Sequence, residues 1–117
     1  MSHTSEELLR KKCLPCEGGV EACSLEQARL QKGAVPLWEL RPDGKWIERS
    51  VRLKNFVKML EVVNRIAELS EAEGHHPDLH LTGYRNLKIE LTTHAIGGLS
   101  ENDFILAAKI DALLAVN

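Results

Sequence analysis

The chain has 117 residues, of which 44% are hydrophobic and 27% are charged, and its formal net charge is -2. This length suits one domain with a hydrophobic core, and no apolar run is long enough to span a bilayer. With 15 basic and 17 acidic residues, the chain lacks the electropositive character typical of nucleic-acid-binding proteins. Because the first residues lack the basic and apolar segments of a secretory signal, we expect a cytoplasmic protein that binds neither nucleic acid nor membrane.

Three cysteines lie near the N-terminus, namely Cys13, Cys16 and Cys23. An odd number of cysteines in a chain without an export signal argues against a disulfide framework. The Cys13-x-x-Cys16 spacing also occurs in zinc knuckles and redox pairs, with Cys23 or His3 as further ligands, but the second Cys-x-x-Cys pair of a zinc ribbon is missing. We therefore interpret residues 1–23 as an N-terminal arm with reduced thiols and residues 24–117 as the folded domain.

The first regular elements are a helix and a β-hairpin. The sequence Ser24-Leu25-Glu26-Gln27 is a capping box, which predicts a helix that runs to Lys32. Residues 35–40 and 45–53 flank Arg41-Pro42-Asp43-Gly44, whose Pro-Asp-Gly order is typical of a turn. These two segments are therefore predicted to pair as strands.

A second, longer helix is predicted from its cap, Asn55, to about Ala72, with Gly74 at the C′ position. Glu71 continues an apolar stripe, so its carboxylate is expected to face inward and to pair with an imidazole. The other members of this stripe are Phe56, Leu60, Val63 and Ala67. A second stripe consists of Met59, Val62, Ile66 and Leu69. Because one sheet cannot cover both stripes, we expect the second stripe and the apolar last helix to be buried between the subunits of a homodimer or homotetramer.

A second hairpin follows this helix. Apolar and polar residues alternate over residues 79–82 and 87–94, on either side of a turn at residues 83–86. The alternation places His80 and His94 on the face away from the leucines, which is the open side of the sheet.

The last helix is predicted to begin at a second capping box, Ser100-Glu101-Asn102-Asp103, and its remaining residues are nearly all apolar. The order of elements is then α-ββ-α-ββ-α. This order predicts an α+β fold, in which two hairpins form a four-stranded antiparallel sheet with the helices packed on one face.

Two adjacent histidines, His75 and His76, lie between the second helix and the second hairpin. Histidine titrates closest to neutral pH, so this pair suits proton transfer. Pro77 disfavours the helical conformation at His76, so the two rings are expected to project in different directions. A metal hydrolase would use His75, His76, His80 and His94 as ligands, but diverging neighbours rarely share one ion. We expect no metal and no other cofactor.

Seven positions resemble the signature of the pterin-4a-carbinolamine dehydratase family: Glu71, His75, His76, Pro77, Tyr84, His94 and Asp103. The resemblance extends over about Ser24 to Ala112, and the predicted order of elements agrees with the α+β fold of that family. It implies that the substrate is a pterin. The implied reaction is dehydration of a 4a-hydroxytetrahydropterin to the quinonoid dihydropterin, which recycles the pterin after an aromatic amino acid hydroxylase has used it.

The resemblance also implies roles for individual residues. The implied catalytic residues are His75, His76 and His94, and the implied pterin-binding residues are Glu71, His75, His76, His94 and Asp103. His75 and His94 are expected to donate protons to the departing hydroxyl, whereas His76 is expected to bind substrate and act as a base. Glu71 is expected to orient the imidazoles. Asp103 has a capping role that is sufficient to explain it. Since all these groups lie between residues 71 and 103, the N-terminal arm is expected to be dispensable for catalysis.

Two alternatives remain open at this point. Animal members of the family resemble a dimerisation cofactor of a homeodomain transcription factor, and the wide apolar faces of the helices suit a protein partner as well as self-assembly. A repurposed member would act on another pterin, such as molybdopterin. The complete set of three histidines argues against a loss of activity.

Overall fold

The computed structural model describes residues 3–14 and 21–116. Four strands of this described part form one antiparallel sheet in the order β1-β2-β4-β3. The elements, in chain order, are α1 (Ser5–Arg10), α2 (Leu25–Lys32), β1 (Glu39–Leu40), β2 (Ile47–Arg52), α3 (Phe56–Glu73), β3 (Asp78–Thr82), β4 (Asn86–Leu91), a 3₁₀ turn (His94–Ile96) and α4 (Glu101–Ala115). The predicted α+β fold is confirmed, with one additional short helix, α1, in the N-terminal arm.

The helix ends follow the capping signals of the sequence closely. At the start of α2, the Gln27 backbone N–H donates to Ser24 Oγ at 3.1 Å, and the Ser24 N–H donates to Gln27 Oε1 at 2.8 Å. At the start of α3, the Lys58 N–H donates to Asn55 Oδ1 at 2.9 Å. These bonds satisfy backbone donors that a helix leaves unpaired in its first turn, which is why the capping residues locate the ends so well.

The first hairpin is shorter than predicted. β1 contains only Glu39–Leu40, whereas the strand was expected over residues 35–40. Residues 35–38 form turns instead, because the Val35 N–H donates to the Lys32 carbonyl at 2.9 Å and the Trp38 N–H donates to the Val35 carbonyl at 3.0 Å. These turns bury both Val35 and Trp38 in the core. A short run of apolar residues looks the same in the sequence whether it forms buried turns or a buried strand.

The core contains the stripe of α3 that was expected to lie between subunits. Met59, Val62 and Ile66 are fully buried within this one chain, in the same cluster as the apolar residues of α4. The assignment of this stripe to a subunit interface was therefore wrong. The expectation that Glu71 faces inward was also wrong, since its side chain is 76% exposed. Helix periodicity reveals two stripes, but packing of α4 against α3 decides which stripe is covered.

A charged residue lies on the apolar face of β2. Arg49 occupies the core side of the sheet, where it interrupts the apolar pattern, and its Nη1 lies 2.5 Å from Oδ1 of Asp111 in α4. Trp38, which is fully buried, donates its Nε1–H to the same oxygen at 2.8 Å. The pair compensates the cost of placing a cation against the core and connects the sheet to the last helix.

The described part of the N-terminal arm packs on the rest of the molecule. α1 contacts α4, and Leu8 is fully buried in the common core. Ser5 Oγ donates to the Ala34 carbonyl after α2. Within the described ranges, the helices are too short or too polar to cross a bilayer.

Two cysteines of the described residues carry free thiols, Cys13 and Cys23, whereas Cys16 lies outside the described residues. Burial and the nearby Glu73 carboxylate raise the pKa of Cys13 to about 12. Burial likewise raises the pKa of Cys23. Redox catalysis requires a thiolate, so the burial of Cys13 and Cys23 opposes the redox interpretation of this segment.

Candidate active site

The site begins at the C-terminal end of α3. Gly74 ends the helix in the left-handed conformation, with φ of 68°, which favours glycine over residues with a Cβ. The His75 backbone N–H then donates to the Ser70 carbonyl at 3.2 Å. This turn directs the His75 side chain toward the start of α4, where its Nε2 lies 2.6 Å from Oδ1 of Asp103. The His75 side chain is only 12% exposed.

Asp103 is fully buried and connects three parts of the chain. Its Oδ2 accepts hydrogen bonds from Thr93 Oγ1 at 2.7 Å and from the Ser100 backbone N–H at 2.9 Å. Its Oδ1 contacts the His75 ring, and an ionised carboxylate requires the tautomer in which Nε2 carries the proton. The predicted capping role is present, and the same carboxylate also fixes the orientation of the imidazole.

His94 lies next to this network rather than at the end of a strand. β4 ends at Leu91, and the Thr93 N–H donates to the Gly98 carbonyl at 2.9 Å as the chain bends, so the predicted strand alternation through residue 94 was wrong. His94 opens the 3₁₀ turn and is exposed. Its ring contacts the Trp46 ring edge to face, with 5.7 Å between the centroids. Thr93, the residue directly before His94, donates a hydrogen bond to Asp103, which in turn contacts His75.

His76 forms a second, more exposed pair. Its Nε2 contacts Oε2 of Glu71, and the two side chains are 61% and 76% exposed. Glu71 thus has an imidazole partner, as expected, but at the surface. The two adjacent histidines reach different carboxylates, in agreement with the divergence predicted from Pro77.

His80 lies on the open face of the sheet, as its alternation predicted, and its Nε2 contacts Glu90. Glu90 also pairs with Arg41, whose guanidinium carbon lies 4.7 Å from the centroid of the Trp46 ring. Three of the four histidines after α3, namely His75, His76 and His80, therefore each contact a different carboxylate. This arrangement does not suit the metal hydrolase alternative, in which these histidines share one ion.

Sequence reasoning missed two residues of the site, Thr93 and Trp46. Trp46 follows the turn of the first hairpin on the polar side of the strand, where an aromatic ring can contact other rings and cations. Thr93 gives no comparable signal. Tyr84, which belongs to the signature, lies in the β3–β4 turn with φ of 55°, at the end of β4 opposite His94, and it is exposed rather than packed.

Comparison with known proteins identifies relatives of this chain. The sequence model of a family described as Pterin 4 alpha carbinolamine dehydratase matches residues 22–113. The chain is 51% identical over 112 residues to pterin-4-alpha-carbinolamine dehydratase 2, mitochondrial, of Arabidopsis thaliana, covering 92% of this chain and 59% of that protein. It therefore spans about 59% of the length of that relative. It is 48% identical over 106 residues to a putative pterin-4-alpha-carbinolamine dehydratase of Halorhodospira halophila, covering 91% of this chain and 96% of that protein.

Two solved structures share the fold. A transcriptional coactivator/pterin dehydratase from Brucella melitensis aligns with a TM-score of 0.73 and 24% identity, covering 80% of this chain and 98% of that one. A pterin dehydratase-like protein described as a RuBisCO assembly factor in the alpha-carboxysome aligns with a TM-score of 0.55 and 22% identity, covering 65% of this chain and 87% of that one. The shared fold and the match over residues 22–113 lead to one conclusion: the chain belongs to the pterin-4a-carbinolamine dehydratase family of hydro-lyases.

Proposed function

We propose that this protein dehydrates a 4a-hydroxytetrahydropterin to the quinonoid dihydropterin and water, and so recycles a tetrahydropterin. The observation that carries the proposal is the His75–Asp103 contact, 2.6 Å long, in a chain of this family. The same carboxylate binds Thr93, the residue directly before His94. The cytoplasmic location expected from the sequence remains a prediction; the name of the Arabidopsis relative places that protein in mitochondria.

The reaction is an acid–base elimination. The C–O bond at the 4a position breaks, and its electron pair leaves with the oxygen. A proton must reach the departing hydroxyl to form water. The neighbouring ring nitrogen loses a proton as its electrons form the C=N bond. Groups that titrate near neutral pH can carry out both transfers, and histidine is such a group.

We assign His75 as one proton donor. Because its Nε2 is held by Asp103, Nδ1 is the ring nitrogen that remains to exchange a proton with substrate. The buried carboxylate fixes the ring plane and stabilises positive charge on the protonated ring, as an orienting carboxylate does for other catalytic histidines.

We assign His94 as the second donor and His76 as the group that binds substrate and accepts the proton from the ring nitrogen. The edge contact with Trp46 supports the orientation of the His94 ring. His76 and Glu71 lie at the exposed margin, where the Glu71 carboxylate orients the His76 imidazole.

A second candidate function is protein binding. The first half of α3 exposes the large apolar side chains of Phe56, Val57 and Leu60. Such a patch suits a protein partner, including the dimerisation role considered from the sequence. The two functions use different surfaces, so they are compatible with each other.

The decisive experiment is a stopped-flow assay of the purified protein with synthetic 4a-hydroxytetrahydropterin, following the quinonoid product by absorbance. We expect His75→Ala and His94→Ala each to lower kcat on the order of tenfold to a thousandfold, the range of general acid catalysis, and the double variant to lower it further. His76→Ala should mainly raise KM. His80→Ala is the matched control, because His80 is also paired with a carboxylate but lies on the open sheet face. We expect EDTA to have no effect. Full activity of the double variant, or abolition by EDTA, would contradict the scheme.

A further inference from the structure

We propose that residues 3–14, named here the N-terminal brace, position the active site by holding the end of α3 against the start of α4. The kinetic part of this inference rests on the proposed function. The contact that the brace would maintain joins His75, which follows α3, and Asp103, which lies in the first turn of α4.

The brace holds the end of α3 through its last residues. The Cys13 backbone N–H donates to Glu73 Oε1 at 2.9 Å, and Lys12 Nζ donates to the Ala72 carbonyl at 2.7 Å. Glu73 Oε2 is held from the other side by Lys109 Nζ of α4 at 2.7 Å. Glu73 is thus fixed by two charged or polar partners, and it lies two residues before His75.

The brace holds the start of α4 through Asn102. The Leu14 N–H donates to Asn102 Oδ1 at 2.9 Å, and Asn102 Nδ2 donates back to the Leu14 carbonyl at 2.5 Å. The Cys13 Sγ also lies 3.5 Å from the Asn102 carbonyl. Asn102 is buried, and it directly precedes Asp103. Two adjacent brace residues, Cys13 and Leu14, therefore bind the two helix ends that carry His75 and Asp103.

The brace is itself fixed to the body of the protein. Leu8 is fully buried in the core. The fully buried Gln31 of α2 accepts from the His3 N–H at 2.8 Å and donates to the His3 carbonyl at 2.9 Å. Lys11 Nζ lies 2.7 Å from Glu101 Oε1 at the start of α4. A segment anchored at both ends and in the core restricts relative motion of the elements that it connects.

The consequence concerns catalysis, because a displacement of about 1 Å at a site can cost on the order of a hundredfold in rate. Glu73 and Asn102 touch neither substrate nor reacting atoms in this scheme, so they are positioning residues. This role replaces the expectation that the N-terminal arm is dispensable: residues 3–14 contribute to turnover through the His75–Asp103 geometry.

The test compares four variants of the full chain. Asn102→Ala removes the reciprocal pair with Leu14, and Glu73→Ala removes the contact with Cys13. Glu73→Gln retains an oxygen that accepts from the Cys13 N–H and serves as the conservative rescue. Arg10→Ala is the matched control, since Arg10 lies in the brace and its ion pair with Glu6, at 3.6 Å, is exposed.

Each variant is characterised by three experiments: steady-state kinetics with 4a-hydroxytetrahydropterin for kcat and KM, thermal melting, and pH titration of the ¹⁵N-labelled His75 ring by NMR. We expect Asn102→Ala and Glu73→Ala to lower kcat on the order of tenfold with little change in KM, and to shift the His75 titration midpoint. Glu73→Gln should retain most of kcat, and Arg10→Ala should match the wild type in every measurement.

The inference is overturned if folded Asn102→Ala and Glu73→Ala variants keep wild-type kcat and an unchanged His75 titration. It is also overturned if the loss of kcat disappears when the variants are assayed well below their melting temperatures. If Asn102→Ala does not fold, Asn102→Ser, whose neutral and shorter side chain also breaks the pair with Leu14, takes its place with the same expectations. If the wild type lacks dehydratase activity, the proposed function fails, and the His75 titration alone decides for or against the brace.

Discussion

At the scale of the residue, Asp103 combines a structural and a chemical role. A buried carboxylate is stable only when its oxygens are hydrogen-bonded, and here a hydroxyl, a backbone N–H and an imidazole meet that need. The helix cap fixes the carboxylate, and the carboxylate in turn fixes the ring of His75. The local rule that begins α4 thus also positions the proposed proton donor.

Substitution can separate these two roles of Asp103. In Asp103→Asn, an amide that retains the capping oxygen presents its NH₂ group to His75, which then needs the other tautomer, so we expect kcat to fall on the order of tenfold to a hundredfold. Thr93→Val removes a different donor to the same carboxylate and keeps the imidazole contact. We expect Thr93→Val to cost about 1 kcal/mol of stability with a smaller change in kcat. Equal losses of kcat in the two variants would contradict a specific role for the imidazole contact. Stopped-flow assays and thermal melting provide both quantities.

The thiol of Cys13 is predicted to be unreactive. With its pKa raised to about 12 by burial and by Glu73, about one thiol in ten thousand is ionised at pH 8. We expect alkylation of Cys13 by iodoacetamide, followed by peptide mass spectrometry, to be far slower in the folded protein than in denaturant. Rapid labelling of the folded protein at Cys13, or zinc bound in stoichiometric amount through it, would contradict this prediction.

At the scale of the element, the end of α3 depends on the left-handed conformation of Gly74. An added Cβ meets no atom within 4 Å, so substitution by alanine is opposed by backbone conformation and not by a clash. We expect Gly74→Ala to cost about 1 kcal/mol of stability and to lower kcat, because relief of the strain displaces His75.

The matched control for Gly74→Ala is Ala72→Gly. Ala72 is exposed near the end of the same helix. Its replacement by glycine also lowers the stability by about 1 kcal/mol, because glycine has a lower helix propensity than alanine. Ala72→Gly leaves the turn at Gly74 intact, so kcat should be close to wild type. A similar drop in kcat for both variants at equal melting temperature would show that stability, and not the position of His75, limits turnover.

The attachment of the brace to α3 should depend on pH. Burial alone raises the pKa of Glu73, but hydrogen bonds from Lys109 and from the Cys13 N–H outweigh it and hold the pKa below its usual value. A carboxyl whose folded pKa is lowered contributes stability above its unfolded pKa of about 4.3, and this contribution is lost as pH falls through the folded value. We therefore expect the melting temperature of the wild type to fall more steeply than that of Glu73→Gln between about pH 5 and pH 3. If the melting temperatures of the two proteins fall in parallel over this pH range, Glu73 does not contribute the predicted pH-dependent stability.

At the scale of the whole molecule, an apolar surface on α3 is exposed in the part of the chain that the structure describes. Phe56 and Leu60 in the first half of α3 are 48% and 42% exposed, although the periodicity of the helix places them on an apolar stripe. We propose that this stripe, and not the one around Met59, forms the contact in a homodimer or homotetramer. Contiguous exposed apolar side chains of this kind mark interaction surfaces.

Sedimentation equilibrium at micromolar concentration tests the proposed assembly. We expect a mass of two or four chains for the wild type and a smaller mass for Leu60→Asp, because a carboxylate buried at an apolar contact loses its hydration. Lys54→Asp, beyond the N-terminal end of the same helix, changes charge without touching the stripe and is the control. A wild type that sediments only at 13.1 kDa would overturn the assembly proposal.

The sequence by itself determined the features that depend on local chemistry. These features are the helix ends at the capping boxes, at Asn55 and at Gly74, and the divergence of the two histidines before Pro77. Each depends on contacts within a few residues, so neighbours in the chain decide the local conformation. Alternation of apolar residues likewise determined the α+β class, because one face of each strand must be buried. The signature residues predicted the family for the same reason: their identities and spacing can be seen without a fold.

Only the tertiary structure decided which partner each of these residues meets. Two apolar stripes on α3 were equivalent in the sequence until α4 covered one of them, which left Glu71 at the surface. Arg49, on an apolar face, pairs with Asp111, which lies 62 residues further along the chain. The N-terminal arm binds Glu73 and Asn102. Such contacts join elements that are distant in the chain, and their free energy depends on burial and geometry that exist only once the helices have packed on the sheet.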